Sequence, residues 1–203
     1  MPDASNASTP STLIIPNGGY ASLIASLLVE SEGDGAESAG MGRTIVYGWL
    51  PPVGSGLFSD EPPYVSGSIS GRNRAEMVER QSKLFGFREV FAHDPSPSRH
   101  RMSVASLLLH AIEIAADHRC ERVIWPICVG EDLEALHRVT EQAALVTELT
   151  ALDQGLYSGG NSACVRLFTP LADLDPDGLA ELAIDLDAPM EACWRPVASA
   201  GGV

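Results

Sequence analysis

Two rhythms of apolar and polar residues run along this chain. "LII" at residues 13–15 is a short unbroken apolar run, the form of a buried strand. Residues 22–32 follow with Leu23, Ile24, Leu27 and Leu28 on one helical stripe. "SEGDGAESAGMG" (31–42) reads as a loop by composition. "TIVYGWL" (44–50) is a second strand, stopped by Pro51 and Pro52. The stretch 53–71 is rich in Gly, Pro and Ser and long for a compact domain, so it is either a functional flap or a disordered segment. A helix is predicted over 72–85, with Met77, Val78, Leu84 and Phe85 on one face and Gly86 as its stop.

"REVFAH" (88–93) is a third strand, followed by the loop "DPSPSRHR". The clearest helix comes next: Val104, Leu107, Leu108, Ala111, Ile112 and Ala115 recur at helical spacing. "RVIWPICV" (122–129) is continuously apolar, as a strand buried on both faces of a parallel sheet must be. "EDLEALHRVTEQAALVTELTAL" is a helix with acids at its positive N-terminal end. "ACVRLFTPL" (163–171) is a fifth strand, and Asp175-Pro176 opens a short last helix as cap and first turn. Strand and helix alternate throughout, which predicts a parallel sheet of about five strands with helices on both faces. Such sheets bind ligands beyond the carboxyl ends of their strands.

Composition narrows the function classes. The chain has 203 residues, 45% of them hydrophobic, enough for one domain with a real core. It is expected to be a flexible leader over 1–11, a single domain over 12–195 and a tail over 196–203. The net charge is −14, and Lys83 is the single lysine. That balance argues against a nucleic-acid partner, which needs clustered cations, and against an anionic membrane. No run of about 18 apolar residues is present, and "MPDASNASTPST" lacks the layout of a secretory signal. A cytoplasmic location is the expectation. Cys120, Cys128, Cys164 and Cys193 are widely spaced and form no CxxC pair, so neither a disulfide framework nor a zinc ribbon is expected. Buried free thiols are expected for the first three.

The turn between the first strand and the first helix carries the candidate chemistry. "PNGGYAS" places Gly18 and Gly19 where a backbone without side chains can approach a phosphate, with helix amides and the Ser22 hydroxyl facing the anion. A tight strand-to-helix turn with no ligand is the competing reading. The candidate nucleotide-binding set is Asn17, Gly18, Gly19, Tyr20, Ala21 and Ser22.

"PNGGYAS" resembles the SGGxDS pyrophosphate loop of the PP-loop (N-type) ATP pyrophosphatases, within the adenine nucleotide alpha-hydrolase-like superfamily. In that group the chain looks like the cyano-deazaguanine synthases of queuosine-precursor biosynthesis. "HRMSVASLLLHAIEIAADHRCERVIWPICVGED" and "TPLADLDPDGLAELAIDLDAPMEACW" are similar, in order, to that family's later segments. The likeness spans most of residues 12–195 in diluted form. It implies a Rossmann-like, HUP-type three-layer αβα sandwich, with ATP and Mg as the family's cofactors.

Several departures bear on function. The family's loop begins with Ser, where this chain has Asn17. Its metal-holding aspartate is Ala21, which cannot coordinate magnesium. Its Arg-Asn pair is Arg101-Met102. Cys193 matches the first of its zinc cysteines, and no other follows. A single thiolate cannot build a tetrahedral site, so zinc is not expected, and no metal ligand set is assigned. Glu131 or Asp132 could substitute as a magnesium ligand, or could simply be an acidic pair at a helix N-terminus. Arg99 or Arg101 could clamp a phosphate or carboxylate, or sit in a solvated loop. These four are the candidate catalytic residues.

His93 and His100 flank the loop after the third strand, on the ligand side, and could act as acid or base. His110 reads as a packed histidine. "SGGNS" (158–162) reads as a plain loop. Two functions stay open: a degenerate relative that binds or assembles without the family's reaction, and an active ATP-dependent ligase using substitute ligands. A small-molecule nucleotide or anion is the expected partner, and a homo-oligomer is open.

Overall fold

The computed structural model describes residues 10–38, 44–52, 55–58, 69–93, 102–157 and 164–193. Five strands form one sheet: β1 (Ser11–Ile14), β2 (Ile45–Leu50), β3 (Glu89–Ala92), β4 (Arg122–Ile124) and β5 (Arg166–Phe168). Their order is β3-β2-β1-β4-β5 and every pairing is parallel. The helices are α1 (Tyr20–Ser38), α2 (Ile69–Leu84), α3 (Val104–Asp117), α4 (Leu133–Tyr157) and α5 (Pro176–Asp185), with a 3-10 turn at Met190–Ala192. This is the expected Rossmann-like three-layer α/β fold.

Successive side chains of a strand point to opposite faces, and the core divides accordingly. Leu13, Tyr47, Trp49 and Val123 join one cluster with Leu107, Leu108, Ala111 and Ile112 of α3 and Val139, Ala143 and Val146 of α4. Ile14, Val46 and Ile124 join another with Ala21, Ile24, Ala25 and Val29 of α1 and Leu179 and Ala183 of α5. β1 lies at the centre, covered on both faces, which is why "STLI" is buried at every position.

Several boundaries differ from expectation. The segment read as a loop from residue 31 stays helical to Ser38; the ion pair between Glu32 and Arg122 at the head of β4 anchors it. The apolar run after β4 is strand only to Ile124, because Pro126 has no N–H to continue the ladder. Beyond it the chain stays tied to the β5 side: Trp125 donates to the Phe168 carbonyl at 2.8 Å and Val129 to Ala172 at 3.0 Å. The fifth strand likewise shrinks to three residues.

In the Gly/Pro/Ser stretch, Leu57 and Phe58 are buried, and the Leu57 carbonyl accepts from Trp125 Nε1 at 2.7 Å. α2 begins at Ile69, inside that stretch, three residues earlier than predicted. Its buried face is also different. Arg74, Val78, Gln81 and Phe85 are inward, while Leu84 is 48% exposed and Met77 half-buried. Gly86 does end the helix, at φ +61°.

Candidate functional site

All five strands run the same way, so the loops after them share one edge of the sheet. The strand order reverses between β1 and β4, where folds of this kind open their ligand crevice. The β1–α1 turn and the β4–α4 loop therefore flank the crevice. The fold brings the candidate residues 17–22 and 131–132 to the same edge.

The turn itself is closed on its own side chains. Gly18 has φ +79°, a left-handed conformation that suits a residue without Cβ. Its N–H donates to Ser22 Oγ at 3.1 Å. The Gly19 N–H donates to Asn17 Oδ1 at 2.8 Å. Asn17 and Ser22 are fully buried, so these bonds form out of water. Both amides that an anion would need first thus have acceptors within the chain.

Gln81 of α2 completes the closure. Ser22 Oγ lies 3.0 Å from Gln81 Oε1, and Gln81 Nε2 donates to the Ala192 carbonyl at 3.0 Å. Gln81 Nε2 also sits 3.4 Å from the Gly19 carbonyl and 3.9 Å from Cys193 Sγ. One buried amide thus joins the β1–α1 turn, α2 and the chain after α5. The sequence reading missed Gln81. The available signal was its place three residues after Val78 and four before Phe85, a polar residue on an apolar helical stripe.

Ala21 is 3% exposed and belongs to the apolar cluster shared by β1, β4, α1 and α5. Tyr20 is half-buried and packs beside Leu23, Phe85 and Cys193. Cys193 is itself buried, whereas Cys128 and Cys164, expected inside, are half-buried. None of the four cysteines is in a disulfide. Burial pushes the Cys120 thiol up to about 11, with the neighbouring Ser11 hydroxyl opposing the shift.

Glu131 and Asp132 are exposed. Asp132 Oδ1 accepts from the Glu134 and Ala135 amides at 3.1 and 3.0 Å, which is the work of a helix N-cap on α4. Arg99, His100 and Arg101, the "SGGNS" loop and the residues before Pro10 lie outside the described residues. His93 stands at the end of β3, and its ring meets His110 and Trp49 edge-on at centroid distances of 5.7 and 6.2 Å. His110 lies near Glu113, 3.3 Å from Nδ1 to Oε2. Among the described residues no three His, Cys, Asp or Glu side chains gather to hold a metal ion, and no helix is long and apolar enough to cross a membrane.

A cavity of about 410 Å³ opens elsewhere, between Ser26, Val29 and Glu30 of α1, Thr44–Val46 and Arg88. It lies at the amino ends of the strands, away from the crevice edge. The loops after the strands and the helix N-termini converge at the crevice edge instead.

No protein-family profile matches the chain, and no curated protein does. Solved structures match its fold. One is the U34-tRNA thiolase NcsA from Methanococcus maripaludis, with its 4Fe-4S cluster, at 12% identity and a TM-score of 0.53 over 94% of this chain and 60% of that one. Another is the NAD+ synthetase from Burkholderia pseudomallei, at 15% identity and a TM-score of 0.38 over 93% and 63%. A third is the N,N'-diacetylchitobiose deacetylase from Pyrococcus horikoshii, at 15% identity and a TM-score of 0.48 over 95% and 74%. The chain thus spans less than two thirds of the length of the first two. The thiolase's fold is the one this chain adopts.

Proposed function

We propose that this protein is a degenerate PP-loop protein, related to the cyano-deazaguanine synthases, that has kept the nucleotide-binding fold without the family's ATP-dependent reaction. The observation that carries this reading is the closed β1–α1 turn. The Gly18 and Gly19 amides are already bonded to Ser22 and Asn17. An incoming phosphate must displace both acceptors, each worth about 0.5–1.5 kcal/mol net, so residual anion or nucleotide affinity is weak.

Magnesium-triphosphate does not fit the residues present. The position that aligns with the family's aspartate is Ala21, in an apolar cluster. Asp132, the proposed substitute, already caps α4. No catalytic step is therefore assigned to Asp132. The net charge of −14 also speaks against a tRNA substrate like that of the thiolase, because a polyanion needs clustered cations. A binding or assembly role fits these features best.

Calorimetry with ATP, with and without magnesium, tests the reading. The expected result is no magnesium-dependent binding below millimolar ATP and no pyrophosphate release. Magnesium-dependent binding at micromolar ATP, with pyrophosphate released, would restore the ligase reading.

A further inference from the structure

The outer surface of α4 carries a feature that neither the core nor the β1–α1 turn uses. Leu145, Leu149 and Leu152 are 64%, 54% and 69% exposed. Their spacing is four, then three residues. That repeat averages 3.5 residues, the period of a seam that packs against another helix. It is distinct from the row that α4 turns inward, Val139, Ala143 and Val146. Single exposed leucines are ordinary; a row in register is not.

Beside the row runs a groove of about 490 Å³ between α3 and α4. Ala105 and Leu109 form its α3 wall, and Arg138, Glu141, Leu145 and Leu149 its α4 wall. Ala105 leaves it room for a guest side chain. Ridge and groove together have the form that receives an amphipathic helix.

Charge selects the guest. No cation occurs between Arg138 and Arg166. Along that span Glu141, Glu148 and Asp153 are exposed. Arg138 is answered within its own helix by Glu134 at 3.0 Å. Two copies of α4 laid parallel and in register set Glu141, Glu148 and Asp153 beside their own counterparts. An anionic lipid surface is repelled for the same reason. A helix with basic flanks instead brings opposite charge to all three acids. Glu141 to Asp153 spans about 18 Å at the helical rise, so a guest of four to five turns covers it.

We propose that the α3–α4 groove docks an amphipathic helix of a partner protein, with an apolar ridge flanked by lysine and arginine. The proposal is independent of the β1–α1 turn.

Fluorescence anisotropy on the full chain tests it with two synthetic helical peptides of about 21 residues. Both carry leucine at the two seam positions of each heptad; one has lysine at the flanking positions and the other glutamate. The lysine peptide is expected to bind saturably at micromolar concentration, at least roughly tenfold tighter than the glutamate peptide, and to weaken as salt rises. Replacing its seam leucines by serine is expected to abolish binding, which separates docking from general attraction to an acidic protein. In the protein, Leu149→Ser with Leu152→Ser is expected to cost at least roughly tenfold in affinity without changing the denaturation midpoint, because both side chains are exposed.

Four outcomes would overturn the proposal. They are no binding of either peptide, equal affinity for both, indifference to the leucine substitutions, or sedimentation showing a dimer that Leu149→Ser dissolves. The last would assign the row to a second copy of this chain.

Discussion

At position 21 the chain has a methyl group in an apolar cluster with Ile14, Ile24, Ile124 and Leu179. Ala21→Asp would put a carboxylate there with no partner, and burying an unpaired charge is among the largest single-residue penalties. The variant is expected to lose about 3 kcal/mol or more of stability, read from the urea midpoint, and to gain no magnesium-dependent ATP affinity. An unchanged midpoint with new magnesium dependence would mean that the side chain reaches the crevice. Cys120 makes a pH prediction. Burial holds its thiol up at about 11, above the ordinary 9.0 of a cysteine. Raised in the folded state, it contributes stability that is complete below about pH 9 and fades as pH climbs towards 11. Unfolding midpoints should therefore drop across that window, and Cys120→Ala should flatten the drop.

The start of α5 was legible in the sequence because a cap is a local contact. Asp175 accepts from Gly178 N–H at 2.7 Å with Pro176 following, as the dipeptide predicts. Ser103 caps α3 in the same way, accepting from Ser106. The rotation of α2 was not legible. Its inward row contains Arg74 and Gln81, and an apolar count passes over both. Arg74 has its guanidinium 5.8 Å from the Phe58 ring centre, a contact across about 16 positions of chain. The joint between the β4–α4 loop and the start of α5 was equally hidden. Gly130 has φ +65°, and a Cβ there would meet Asp175 Cβ at 3.0 Å. Gly130→Ala therefore both strains the backbone and pushes on the α5 cap. It is expected to cost about 2 kcal/mol, measured by denaturation. A loss of only a few tenths would mean that the loop yields.

Across the whole molecule, protection should follow place in the sheet. β1 bonds to β2 on one side and β4 on the other, while β3 and β5 are edges. Hydrogen exchange is expected to be slowest at Leu13 and Ile14, near the global limit, and faster along β3 and β5. Comparable rates in β1 and β3 would mean that the sheet opens as one unit. The alternation of elements, the parallel sheet and the place of Gly18-Gly19 after the first strand could be read from the sequence alone. Each follows from periodicity, strand composition and turn chemistry, which act between residues near in the chain. The Ser22 hydroxyl that accepts from Gly18 is itself held by Gln81, fifty-nine residues away, and Gln81 is held by the Ala192 carbonyl beyond α5. Periodicity carries no record of which distant side chain fills a particular hydrogen bond. Packing settles that once the layers have met, and so only the tertiary structure determined that Gln81 sits against the Ser22 hydroxyl and ties the turn to the chain after α5.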